Sequence, residues 1–265
     1  MLREDWRLAP ASSAPEKGED ISSAQYVPRG WYKTTVPNTV VSALIDAKVY
    51  QDPYVGTNLR SISGATYPIG ENFSNIPMPP ESAFRQRWWY RTKFTTPQQF
   101  RGKHVRLNFD GLNYRANLWL NGKQIGTAKE VAGAWRKFGF DVTQILLADE
   151  VNTLAVEIFP PTPEDLAITF VDWNPAPPDK DMGIWRDVYL TAGGPANLHY
   201  AQVMTKLTSL ANDDARLTVT TEVSNQTDEP FEGTLTGSID ERTFSMPVAL
   251  APRVADKWVE IYVGM

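Results

Sequence analysis

The chain has 265 residues, 42% apolar and 22% charged, a balance that can bury a core. Its 26 Lys and Arg against 31 Asp and Glu leave a net charge of −5, which argues against nucleic acid as a partner. It has no cysteine, which excludes disulfides, thiol nucleophiles and thiolate metal sites, and no apolar run long enough to cross a membrane as a helix.

In chain order, Met1-Leu2-Arg3-Glu4-Asp5-Trp6 lacks a signal-peptide core. The protein is therefore either cytoplasmic or one whose signal has been removed. Val40, Val41, Leu44 and Ile45 fall at helical spacing behind Asn38 or Thr39, which predicts a capped helix over 39–47. Residues 50–86 are polar and turn-rich. Val105, Leu107 and Phe109 alternate with polar neighbours, as do Leu154, Val156 and Ile158, and each run predicts a strand. Between them Leu118-Trp119-Leu120-Asn121-Gly122 predicts a hairpin turn. Trp88 and Trp89 must point to opposite faces of one strand, so a two-layer sandwich would bury only one of them.

Residues 160–183 hold six of the 20 prolines. Loops longer than ~12–15 residues are uncommon in compact domains and are often functional, and proline stiffens such a loop without secondary structure. Gly193-Gly194-Pro195 reads as a linker, and the charge balance changes there. The expected division is 1–196 and 197–265. The second segment shows four strand patterns, near 198–205, 215–223, 231–239 and 256–263. An immunoglobulin-like sandwich needs about seven strands, so this domain is expected to be incomplete. Trp258 reads as a core residue.

The sequence lacks nucleophile-elbow, phosphate-loop and zinc-helix motifs. His104 and His199 sit in strand patterns and read as surface or core-rim side chains. Asp179-Lys180-Asp181 is too short a match to support a cation loop. Asn72-Phe73-Ser74 and Asn225-Gln226-Thr227 fit the glycosylation pattern, which recurs by chance. Arg186 and Asp187 are expected to pair with each other. No catalytic residue, metal or cofactor is expected.

Nine tryptophans are compatible with sugar chemistry, because an indole matches the apolar face of a pyranose and adds one N–H donor, though most of them could equally be core residues. The most suggestive cluster is Asp172-Trp173-Asn174-Pro175, with Pro177-Pro178 behind it. The carboxylate can accept from sugar hydroxyls, the indole can stack, and the amide can donate and accept. The same residues could equally form a loop packed by its tryptophan, with Asp and Asn making turn bonds.

Further stretches carry a family resemblance. They are Trp89-Tyr90-Arg91-Thr92-Lys93-Phe94, Phe109-Asp110-Gly111-Leu112, Leu118 to Gly122 with Ile125-Gly126, Phe140 to Thr143, Asn152 to Val156, and Gly183 to Leu190. In this order they resemble the N-terminal part of glycoside hydrolase family 2 enzymes. Gly30-Trp31-Tyr32, Val36-Pro37 and Tyr50 to Tyr54 are similar to the exo-β-D-glucosaminidase and endo-β-mannosidase branch. Asn58 to Ile62 and Asp172 to Pro175 most resemble the exo-β-D-glucosaminidases. β-Mannosidases usually read Asp-Trp-Gly-Pro where Asn174 stands here.

The resemblance implies an all-β chain, with a jelly-roll (galactose-binding-like) sandwich followed by a partial immunoglobulin-like sandwich. It implies a parent enzyme with a catalytic (β/α)8 barrel carrying two glutamates of a retaining mechanism. On that expectation the 265 residues are a non-catalytic fragment, inactive alone, whose partners are a terminal β-linked sugar and the barrel of the same polypeptide. Asp172, Trp173 and Asn174 would be substrate-binding residues. The parent would be secreted or periplasmic, with a cytoplasmic location left open. The alternatives are a β-mannosidase or endo-β-mannosidase parent, a free-standing carbohydrate-binding module, or a purely structural jelly roll.

Overall fold

A computed structural model describes residues 1–65, 77–171, 173–207 and 215–252, and the backbone of 257–264. The chain forms two compact units, Met1–Arg101 with Val105–Thr191, and Gly102–His104 with Ala192–Met265. In the first, β1 (Trp6–Pro10), helix α1 (Gly18–Ile21), β2 (Tyr32–Thr34), β3 (Asn38–Thr39) and helix α2 (Val40–Asp46) precede β4 (Trp88–Thr95) and β5 (His104–Phe109). Then come β6 (Arg115–Leu120), β7 (Lys123–Gly126), β8 (Phe138–Asp141), β9 (Val151–Phe159), β10 (Gly183–Ile184) and β11 (Val188–Gly193).

The main sheet has the order β2-β1-β4-β9-β6-β7, beside a three-stranded sheet β11-β5-β8 and the small pair β10-β3. The register of the main sheet sorts its side chains. Trp88, Tyr90 and Thr92 on β4 stand opposite Ile158, Val156 and Leu154 on β9. Those three stand opposite Ala116, Leu118 and Leu120 on β6. All nine are buried and form the inner face, to which β1 adds Leu8 opposite Tyr90. From β5, Val105, Leu107 and Phe109 are buried, as their alternation predicts.

The expectation that one of Trp88 and Trp89 would be left outside is not met: both are buried. The second face of the main sheet is covered as well. Trp89, Trp119, Ala9 and Ala155 on that face pack with Ile21 of α1, Ala14 and Trp31. Residues 11–31 thus act as a third layer. Arg91, on the same face, holds that layer: its guanidinium donates to the carbonyls of Ile21 (2.8 Å), Ser23 (3.1 Å) and Tyr26 (3.4 Å). These bonds meet backbone acceptors that α1 and its following turn would otherwise leave unpaired.

The local signals behave as their chemistry requires. Thr39 caps α2, its hydroxyl accepting from the Ser42 N–H at 3.3 Å. Asn121 and Gly122 both have positive φ, 51° and 79°, as a two-residue hairpin turn demands. Asn121 also braces β9 by accepting from the Thr153 N–H at 2.8 Å.

The second unit holds five strands among the described residues where four were expected: β12 (Ala196–Leu207), β13 (Ala215–Asn225), β14 (Phe231–Ile239), β15 (Arg242–Leu250) and β16 (Lys257–Gly264). β15 contains Pro247, a residue that argues against a strand except at an edge. Among the described residues its one strand partner is β14, which makes it an edge strand. The sheet β12-β13-β16 contributes Leu217, Val219 and Val223 to a core shared with Phe231, Leu235, Met246 and Leu250 of the β14–β15 hairpin. The fold is all-β, a jelly-roll sandwich followed by immunoglobulin-like strands. The Trp258 side chain and Asn72 to Ser74 lie outside the described residues.

Candidate functional site

The Pro-rich loop runs from the end of β9 at Phe159 to β10 at Gly183. Near its start, the Asp165 carboxylate accepts from the backbone N–H and hydroxyl of Thr162 at 2.8 and 3.0 Å, and pairs with Arg115 of β6. Its far end is fixed more deeply. Asp179 is fully buried, and its carboxylate accepts from the Val41 N–H of α2 at 2.8 Å and the Asp181 N–H at 3.0 Å. Lys180 and Asp181 both adopt positive φ, 53° and 56°. Their carbonyls each accept, at 2.9 Å, from the side-chain amide of buried Asn113. The Met182 carbonyl accepts from the Val40 N–H at 2.8 Å.

Between these anchors a groove of about 680 Å³ is lined by Met78, Arg85, Pro160, Asp165, Phe170 and Lys180 among others. The Lys180 ammonium sits 5.7 Å from the Phe170 ring centroid, and burial lowers its pKa. Burial pushes the Asp179 carboxyl up to about 7, against the lowering effect of the Val41 and Asp181 N–H groups, and raises Asp181 as well. Tyr90, buried beside Asp179, is raised well above its ordinary value, first by burial and then by that carboxylate.

Of the three candidate residues, Asp172 lies outside the described residues. Trp173 is 80% exposed and Asn174 is exposed. Trp173 therefore does not pack the loop from within. The groove beside Phe170 and Lys180 was not legible in the sequence, because its walls come from segments some ninety residues apart (Met78 to Phe170).

Other candidates resolve differently. Arg186 and Asp187 do not pair with each other: Asp187 accepts from Arg3 at 3.1 and 3.2 Å, while Arg186 stacks 4.6 Å from the Trp185 ring centroid. Asn225 is buried, and its amide donates to the carbonyls of Glu229 (2.7 Å) and Ala251 (3.1 Å), so its nitrogen is committed to turn structure. The Asp179 carboxylate is committed to backbone N–H groups rather than arranged for a cation.

The family model "Glycosyl hydrolase 2 galactose-binding domain-like" matches residues 6–170, which take in β1 to β9 and end just short of Asp172. The chain belongs to this family. An exo-beta-D-glucosaminidase of Streptomyces avermitilis is 34% identical over 232 residues, 87% of this chain and 24% of that protein. A mannosylglycoprotein endo-beta-mannosidase of Lilium longiflorum is 28% identical over 222 residues, 75% of this chain and 21% of that protein. Among solved structures, the Amycolatopsis orientalis exo-chitosanase CsxA superposes with a TM-score of 0.84 at 28% identity, over 100% of this chain and 28% of that one. A single-residue variant of CsxA has also been solved in complex with PNP-beta-D-glucosamine. This family 2 chain thus spans about a quarter of the length of the curated relatives it matches.

Proposed function

We propose that this chain is the N-terminal, non-catalytic part of a retaining exo-β-glycosidase that releases terminal glucosamine from β-linked oligosaccharides. The observation that carries the reading is the exo-β-D-glucosaminidase similarity, continuous over most of this chain yet covering a quarter of the relative. In this reading both catalytic glutamates belong to a barrel in the same polypeptide, outside these 265 residues, and the isolated chain turns over no substrate. The parent is secreted or periplasmic. The jelly roll, 1–196, presents its Pro-rich loop to the sugar, and 197–265 belong to the sandwich that follows. Asp172 accepts from the sugar's ammonium or hydroxyls, Trp173 walls one face, and Asn174 supplies a neutral donor and acceptor. The outward position of Trp173 supports this assignment.

A second reading, an endo-β-mannosidase parent, is favoured by the Lilium relative. Asn174, where β-mannosidases usually carry glycine, favours the first.

The test is hydrolysis of aryl β-D-glucosaminide and aryl β-D-mannoside by the isolated chain and by the full-length protein. Turnover is expected only in the full-length protein, and faster on the glucosaminide. Asp172→Ala in the full-length protein is expected to reduce kcat/KM by about 1.5–3 kcal/mol of transition-state binding, the worth of a hydrogen bond to a charged group. Unchanged kcat/KM would remove Asp172 from the site, and turnover by the isolated chain would refute the non-catalytic assignment.

A further inference from the structure

We propose that Asp179, together with Asn113, is the positioning element that holds Trp173 and Asn174 in their sugar-binding pose and so sets the loop's affinity for a terminal sugar. The proposal rests on the reading of that segment given above, and deepens it.

The mechanical link lies in the four residues between Asn174 and Asp179, namely Pro175, Ala176, Pro177 and Pro178. Three fixed φ angles make this spacer stiff, so an orientation imposed at Asp179 is carried to Asn174. The spacer is also seated: Ala176 and Pro178 are buried, while Trp173 and Asn174 stand in solvent. Behind it the chain turns sharply through two left-handed residues, a conformation that costs free energy for non-glycine residues and persists only where surroundings impose it. Asn113 supplies that constraint by binding both carbonyls of the turn, and Asp179 by binding the Asp181 N–H across it. Asp179 also ties the turn to α2 through Val41, 138 residues away in sequence. Loss of the carboxylate would leave the buried Val41 N–H and the part-buried Asp181 N–H without this acceptor. Neither Asp179 nor Asn113 reaches the sugar in this scheme. Both act through the spacer.

The experiment compares the wild-type chain with Asp179→Ala, Asp179→Asn and Asp172→Ala by amide hydrogen exchange at one pH. The same four proteins are then titrated with methyl β-D-glucosaminide, followed by NMR at millimolar concentrations. In Asp179→Ala, exchange across 173–182 should quicken by on the order of tenfold or more, with β4, β6 and β9 unchanged. Asp179→Asn keeps one oxygen acceptor and should lie between the two, which also serves if the alanine variant fails to fold. Glycoside affinity should fall in parallel with loop exchange in the Asp179 variants, and should fall in Asp172→Ala with no change in exchange. Unchanged loop exchange in the Asp179 variants overturns the proposal. So does exchange quickened equally throughout the first unit, the signature of a general packing role. If the Asp179 variants loosen the loop without weakening the glycoside while Asp172→Ala does weaken it, the link to affinity is overturned. If Asp172→Ala binds like wild type, the sugar-binding reading fails and takes the affinity half with it, while exchange still decides the clamp.

Discussion

The rings of Trp89 on β4 and Trp119 on β6, two strands separated by β9, lie 5.4 Å apart at 48° on the main sheet's outer face, sealed under residues 11–31. The seal depends on a glycine. A Cβ built on Gly18 would sit 2.2 Å from two ring carbons of Trp119, and those carbons belong to a rigid indole rather than a flexible chain end.

Gly18→Ala is therefore expected to destabilise the first unit by about 1–3 kcal/mol through overpacking. Trp119→Ala, which empties the same contact, should cost about 3–5 kcal/mol. Urea denaturation of both variants checks this. In the double variant the costs should fall short of additive, since removal of the indole removes the clash.

Stability should also depend on Asp179. Its folded-state pKa of about 7 exceeds the ordinary 3.8, so the folded chain keeps a proton that the unfolded chain gives up. This contribution is fully present below pH 3.8 and is lost as pH rises to about 7, at a slope of up to about 1.4 kcal/mol per pH unit. Asp181, also raised by burial, adds to the loss in the same direction. Tyr90, raised above its ordinary 10, does not titrate in this window. Unfolding free energy measured from pH 4 to 8 should fall less steeply in Asp179→Asn than in wild type. Parallel pH profiles would refute the assignment.

Limited proteolysis should cut first at Gly194-Pro195, the two residues between β11 and β12, or within 197–265. The surviving piece should retain the first unit, whose main sheet is buried on both faces. Mass spectrometry of the early fragments checks this. First cleavage inside β5 or β9 would contradict it.

The helix at 39–47, the hairpin at Asn121-Gly122 and the strand alternations at 105–109 and 154–158 were legible because each rests on local chemistry. A cap, a pair of positive φ angles and a period of two act between residues close in sequence. The third layer over Trp89 and Trp119 was not legible. A strand pattern shows that a residue faces away from one core, but not what another segment brings to its other side. No strand was expected at 242–250, and its pairing with β14 shows that Pro247 stands at an edge where proline is tolerated.

The candidate site divides along the same line. The sequence by itself determined that a Pro-stiffened segment carries Asp172, Trp173 and Asn174 in succession, and that the chain resembles family 2 enzymes, since composition, order and motif spacing are properties of the chain alone. Only the tertiary structure decided that the Asp179 carboxylate accepts from the Val41 and Asp181 N–H groups, that Arg186 and Asp187 take different partners, and that Trp173 faces solvent. The physical reason is distance along the chain. Val41 meets Asp179 and Arg3 meets Asp187 through pairings that no local pattern encodes, and a buried carboxylate's role is set by the donors that the fold delivers to it.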